Sequence, residues 1–234
     1  MFKKLVSIGL SLMMMLGVTG YAPVSVQAAD DGHLGSVTSV EVDADDKNIV
    51  WVTFDNGYQG KITFLDNDIF RYNVDPSGQF NEYAQVHNGY PDTAKIQQYP
   101  DSSDAYSHPE ASVQQNGNSY EIKAGNVTIS FDEAARMSIK AGDKTVMEEE
   151  ESLDFQGART VQTLVKHDAT NYDPSLPENF FGGGTQNGRF VHTGNVINIS
   201  NESNWVDGGV ASPSPFYYTT NGYGVLRNTY RSEE

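Results

Sequence analysis

Short runs in which apolar and polar residues alternate, each closed by a turn sequence, recur along this chain, and a period of two confines such runs to strands. Residues 37–42, 49–54, 61–65 and 69–74 form a first group. Asp55-Asn56-Gly57 and Asp66-Asn67-Asp68 separate its later members, and these residue types tolerate the positive φ of tight hairpins, so a meander is expected. A second group, 120–124, 127–131, 137–140 and 145–147, is joined through Gly125-Asn126 and Ala141-Gly142-Asp143. Residues 158–165 read as a further strand, 168–177 as a loop and 196–199 as a short strand. Residues 216–219 and 223–229 flank Asn221-Gly222, the strongest local hairpin signal in the sequence. Between 81 and 118 the alternation fails among Pro91, Pro100 and Pro109, which predicts a surface excursion with edge strands at most. The acidic run Glu148 to Glu151 reads as a solvated loop. No segment makes a convincing amphipathic helix and no solenoid period is visible, so the chain is predicted to be all-β, a sandwich or barrel.

The first residues address the compartment. Lys3 and Lys4 precede an apolar run from Leu5 to Val18, and the segment closes on Val26-Gln27-Ala28, the pattern of a secretory signal peptide cleaved after residue 28. The run is shorter than the roughly 20 residues a bilayer-spanning helix needs, and Gly17, Gly20 and Pro23 interrupt it. The expectation is a signal peptide over 1–28 and one domain over 29–234, secreted and not membrane-bound after cleavage. Losing two lysines takes the formal charge from −16 to −18, with 13 basic residues left against 31 acidic ones, which argues against nucleic acid or anionic membrane as a partner. Cysteine is absent, so the fold must rest on a buried core without disulfides.

Glycoside hydrolysis generally needs two carboxyl groups astride the scissile bond, and 31 acidic residues offer too many pairs for the sequence to choose among. His33, His87, His108, His167 and His192 lack the HxxxH or HxH spacing of a zinc site. Asp43, Asp45 and Asp46 resemble the start of a calcium loop, but the glycine and terminal glutamate that should follow are missing, so an exposed acidic turn is expected. There is no GxSxG, and Gly182-Gly183-Gly184 lacks the Gly-Lys-Ser/Thr ending of a phosphate loop. What remains is Phe180-Phe181-Gly182-Gly183-Gly184-Thr185-Gln186-Asn187-Gly188, then Trp205-Val206-Asp207-Gly208-Gly209, then Ser214-Pro215-Phe216-Tyr217. Aromatic rings beside amides and a carboxylate suit a pyranose, which stacks its C–H face on a ring and hydrogen-bonds through its hydroxyls. Glycine-rich turns around core aromatics account for the same composition equally well.

Those residues resemble glycoside hydrolase family 31, the family of α-glucosidases, α-xylosidases and related transglycosylases. The likeness is most specific from 180 to 229, through Gln186-Asn187-Gly188, Trp205, Asp207, Pro215-Phe216-Tyr217 and Asn221-Gly222-Tyr223-Gly224-Val225. Upstream, Ile69-Phe70-Arg71-Tyr72 through Asp75-Pro76 is similar to the family's early strand. The resemblance implies a galactose-mutarotase-like β-sandwich that packs against a downstream (β/α)8 barrel. Asp207 matches the aspartate that family members extend toward the bound sugar, where it would accept hydrogen bonds from hydroxyls. Asn187, Trp205 and Phe216 are weaker substrate-binding candidates, each better explained as a structural residue.

The family's nucleophile and acid/base aspartates belong to the barrel, and this sequence reaches Glu234 before a barrel strand begins. Family members also extend the sandwich beyond the strand read at 223–229. The resemblance therefore implies an incomplete sandwich with no catalytic residue, inactive alone, and the spacings above lead to no metal or cofactor being expected. Its implied partners are an α-linked carbohydrate and a (β/α)8 catalytic domain absent from this chain. The rival expectation is a free-standing extracellular carbohydrate-binding module.

Overall fold

A strand that alternates in sequence must bury one face, and here two sheets bury theirs against each other. The computed structural model describes residues 32–76, 78, 80, 104–157, 159–185, 190–197 and 212–227. Strands β1 (Gly32–His33), β2 (Val37–Val42), β3 (Ile49–Phe54), β4 (Gln59–Asp66) and β5 (Ile69–Asp75) open it. Then come β6 (Ser112–Asn116), β7 (Ser119–Ala124), β8 (Val127–Phe131), β9 (Met137–Ala141), β10 (Lys144–Gln156) and β11 (Arg159–Leu164). The last are β12 (Phe180–Thr185), β13 (Ser212–Thr219) and β14 (Gly224–Leu226). No helix occurs among the described residues, and every pairing is antiparallel. The fold is all-β, as the alternation predicts.

One sheet is the meander β2-β3-β4-β5, and the other runs β1-β10-β9-β8-β7-β6 with β11 also on β10. Between them Val50, Val52, Phe54, Ile62 and Phe64 from the first sheet meet Ile122, Ile129, Phe131 and Met137 from the second. Rings cross the gap edge to face, Phe54 on Phe131 at 6.5 Å and Tyr58 on Phe155 at 5.1 Å between centroids. Burying an aliphatic or aromatic side chain of this size contributes about 1.5–3 kcal/mol, which is how a cysteine-free chain stays folded.

Strand β10 holds the molecule together because it pairs along both edges: β9 and β1 on one side, β11 on the other. Its middle is Glu148 to Glu151, so the acidic run is not the solvated loop that its charge predicts but part of a 13-residue strand. Register shifts between Glu149, Glu151 and Asp154 reset which residues face inward. The segment read as an excursion does contain a strand, β6, and it lies at the sheet's edge. At the other end, Val196 and Ile197 are not in a strand, and 198–199 lie outside the described residues. A third sheet, β12-β13-β14, is fastened to the sandwich at β10 and β11: Asn221 Nδ2 donates to Val146 O at 2.6 Å and an Arg227 guanidinium N–H to Thr160 O at 3.2 Å.

Candidate functional site

The third sheet presents two different faces. Phe180, Tyr217, Thr219 and Val225 share its inner side by register, and Tyr223 and Val225 pack on the sandwich core. Burial pushes the Tyr217 phenol up to about 12 and raises that of Tyr223 well above the ordinary tyrosine value. Phe181, Phe216, Tyr218 and Leu226 share the outer side by the same register. Phe216 is 43%, Tyr218 49% and Leu226 68% exposed, a contiguous apolar surface rather than scattered single residues.

The outer rings form a row. Phe181 stacks on Tyr218 with centroids 5.4 Å apart and planes 18° from parallel, and Tyr218 stacks on Phe216 at 6.2 Å and 28°. Glycine makes that row. At Gly182, φ is +112°, and a Cβ there would stand 2.5 Å from Phe216 O and 2.8 Å from Tyr217 Cα. A Cβ on Gly224 would meet the Phe216 ring at 3.1 Å. Opposite the glycines, β13 carries three residues between Pro213 and Tyr217 where β12 carries one between Gly184 and Gly182. Pro215, which has no N–H to give the ladder, falls inside that irregularity. The Gly-Gly-Gly stretch is thus a strand fitted against a bulge, where the sequence could also be read as a turn.

Of the substrate-binding candidates, Phe216 stands in the middle of this surface, whereas Asn187, Trp205 and Asp207 lie outside the described residues, as does the segment read as a signal peptide.

Beneath the sheet is a polar junction that sequence reading did not find. Glu178, fully buried, accepts the backbone N–H of His167 at 3.0 Å through Oε2, and the same oxygen stands 3.0 Å from His167 Nδ1. His167 Nε2 stands 3.2 Å from Glu148 Oε2. Asn221, also buried, uses Oδ1 to accept from Asn171 N at 2.7 Å. No spacing connects residues 148, 167, 178 and 221, so only the fold reveals them together.

A second polar cluster surrounds Glu149, next to an open cleft of about 400 Å³ that Asp132, Arg136, Ser119, Ser130 and Ser138 also line. Glu149 Oε2 accepts Met137 N–H at 3.0 Å and Oε1 accepts from Gln162 Nε2 at 2.7 Å, while burial pushes its carboxyl up to about 6. Arg136 is paired with Asp132 at 2.6 Å. Within the cleft Asp132 and Arg136 are thus committed to each other, and Glu149 to the backbone and Gln162. Asp43 behaves as an acidic turn: it accepts from Trp51 Nε1 and from the backbone N–H groups of Asp45 and Asp46, which hold its carboxyl down to about 2.

The molecule is thus two face-packed antiparallel sheets with an appended, aromatic-faced third one. Residues 59–233 match the family described as the glycosyl hydrolase 31 N-terminal galactose mutarotase-like domain, and the chain belongs to it. Comparison with curated protein sequences gives no match. Among solved structures it is similar to the Flavobacterium johnsoniae GH31 dextranase complexed with isomaltotriose, with TM-score 0.59 and 17% identity over 82% of this chain and 22% of that one. It is also similar to the cycloalternan-forming enzyme of Listeria monocytogenes in complex with a pentasaccharide substrate, with TM-score 0.54 and 17% identity over 83% of this chain and 17% of that one. At that identity the likeness carries the fold, and the chain spans about a fifth of the length of these enzymes.

Proposed function

We propose that the chain is the N-terminal sandwich of a secreted family 31 α-glycosidase or α-glucosyltransferase, and that the outer face of β12-β13-β14 abuts a (β/α)8 catalytic domain. The observation that carries this reading is the row Phe181–Tyr218–Phe216 with Leu226 beside it, open to solvent on the third sheet. A pyranose stacks on a free ring face, and the faces in this row are turned toward neighbouring rings. Ring edges and an isobutyl group suit the apolar surface of another protein domain better than a sugar. The sugar-contacting role then falls to the connection between β12 and β13, which carries Asn187, Trp205 and Asp207. Isomaltotriose in the dextranase supports a glucose-based saccharide as the substrate class.

The coverage of about a fifth of each related enzyme supports a supporting role, with the reaction performed by residues of the barrel. The test has two parts. The gene locus should encode a family 31 barrel, in the same frame or an adjacent one, and a locus without one overturns the reading. Mixed with that barrel, the 234-residue chain should co-migrate in size-exclusion chromatography and support hydrolysis of an aryl α-glucoside. Phe216→Ser with Tyr218→Ser should abolish both, and unchanged association of the double variant would place the contact elsewhere. The rival, a free-standing binding module, requires saturable α-glucan binding by the chain alone that is lost in Asp207→Ala.

A further inference from the structure

Three segments distant in sequence converge on the imidazole of His167. Strand β10 contributes Glu148, whose Oε2 is 3.2 Å from Nε2, and the turn before β12 contributes Glu178, whose Oε2 is 3.0 Å from Nδ1. The turn between β13 and β14 contributes Asn221, whose Nδ2 is 3.2 Å from Nδ1. Behind them, the phenols of Tyr217 and Tyr223 face Glu178, and burial holds both protonated. Among the described residues, His167 is the group that forms an ion pair with Glu148 and with Glu178. Glu178 is fully buried, and no described hydrogen bond reaches its Oε1.

Asn221 cannot turn its amide to adapt. Its Oδ1 accepts from Asn171 N at 2.7 Å and its Nδ2 donates to Val146 O at 2.6 Å, which fixes both ends. The proton count of the imidazole therefore decides which ties are made and whether they carry charge. A ring with two protons donates through Nδ1 to Glu178 and through Nε2 to Glu148. A neutral ring has one hydrogen. With it on Nε2, Nδ1 accepts from Asn221 and turns a lone pair toward the Glu178 oxygen; with it on Nδ1, Glu148 is released. In either form a buried carboxylate loses its counter-charge.

We propose that His167 is a proton-dependent lock that fastens the sheet β12-β13-β14 to strand β10, closed when the ring is an imidazolium and slackened when it is neutral. Burial of the ring works against the charged form, but hydrogen bonds to Glu178 and Glu148, with the charge of both, outweigh it and raise its pKa above the ordinary 6.5. A folded-state value above the unfolded one contributes stability that is fully present below 6.5 and is lost as pH rises through the folded value. The sheet so held bears Phe216 and Tyr218, so its outer face would be presented most rigidly under acidic conditions. The lock stands on its own geometry, and failure to bind a barrel would leave it untouched.

The test is amide hydrogen exchange of the 234-residue chain at about pH 5.5 and about pH 8.5, corrected for intrinsic rates. The Thr219 and Val225 amides should lose about tenfold or more protection at the higher pH relative to Ile122 and Ile129 in the sandwich. In His167→Gln the two conditions should give equal, low protection of that sheet relative to Ile122 and Ile129. Equal protection at both pH values in the unaltered chain overturns the proposal. If His167→Gln does not fold, Glu148→Gln decides: it alters the half-exposed partner and should move the midpoint of the loss to lower pH, and an unmoved midpoint overturns the proposal.

Discussion

The side-chain amide of Asn221 donates to the carbonyl oxygen of Val146 at 2.6 Å across 75 residues of sequence. Asn221 has the composition of a turn former, and Gly222 after it has the positive φ of +97° that a turn requires. Its side chain nevertheless points inward, 2% exposed, and joins the hairpin tip to strand β10. One residue both bends the chain and pins the bend.

Replacing Asn221 separates those roles. In Asn221→Ala the Val146 carbonyl and the Asn171 N–H lose their partner in a buried setting, and each such loss costs about 1–3 kcal/mol. The expected destabilisation is about 3 kcal/mol, read from the urea midpoint. Asn221→Asp is acceptable to a turn, but it sets a carboxylate oxygen against Val146 O and beside Glu178, so it should be at least as damaging as alanine. A harmless aspartate would reduce Asn221 to a turn residue.

Glu149 makes a pH prediction with a definite sign. Burial lifts its carboxyl from 4.5 to about 6, so the folded chain holds the proton more tightly than the unfolded one. Its contribution is complete below 4.5 and is lost as pH rises through about 6, a fall of about 2 kcal/mol. Glu149→Gln can keep one acceptor for Met137 N–H while Gln162 reverses its amide. Urea unfolding of that variant across the interval should therefore lack this component, and an identical pH profile in both proteins would remove Glu149 as its source.

The strands were legible where period two and turn chemistry agreed, as in 37–42, 49–54 and 127–131, whose bounds the structure reproduces. Strand β6 was not, because Ser-Val-Gln-Gln-Asn at a sheet edge buries too little to alternate clearly. The acidic run misled for a related reason: along β10 two register shifts turn Glu149 inward while Glu150 and Glu151 face water, and a bulge leaves no periodic trace. The family and the aromatic cluster were visible in local motifs. The junction of Glu148, His167, Glu178 and Asn221 was not, since it exists only once the terminal sheet is laid on β10.

Gly182 and Gly224 line the same row of rings and should differ sharply on substitution. A methyl on Gly182 meets backbone, Phe216 O at 2.5 Å and Tyr217 Cα at 2.8 Å, at a φ that L-residues avoid, so β12 and β13 must part. Gly182→Ala is expected to cost about 3 kcal/mol. Gly224→Ala meets the Phe216 ring at 3.1 Å and Tyr217 O at 3.3 Å; the exposed ring can swing aside and the backbone oxygen need give only slightly, so about 1 kcal/mol is expected. Thermal midpoints of the pair check the order, and equal losses would show that the β12–β13 contact is not as close as the geometry requires.

The outer aromatic face yields a prediction that needs no partner domain. Phe216 and Tyr218 are each nearly half exposed, so replacing both with serine forfeits little burial, though it does remove the ring stacking with Phe181. The expected loss of stability is about 1 kcal/mol. Association should respond far more, because an uncovered apolar strip on a sheet flanked by the edge strand β14 favours self-association. Sedimentation velocity over a range of concentrations should show the unaltered chain forming oligomers reversibly and the double variant remaining monomeric. Binding of a fluorescent apolar dye should fall in parallel. A chain that stays monomeric throughout and ignores the dye would mean that its rings are covered by other parts of the same molecule, and the docking role proposed for this face would then have no surface to act through.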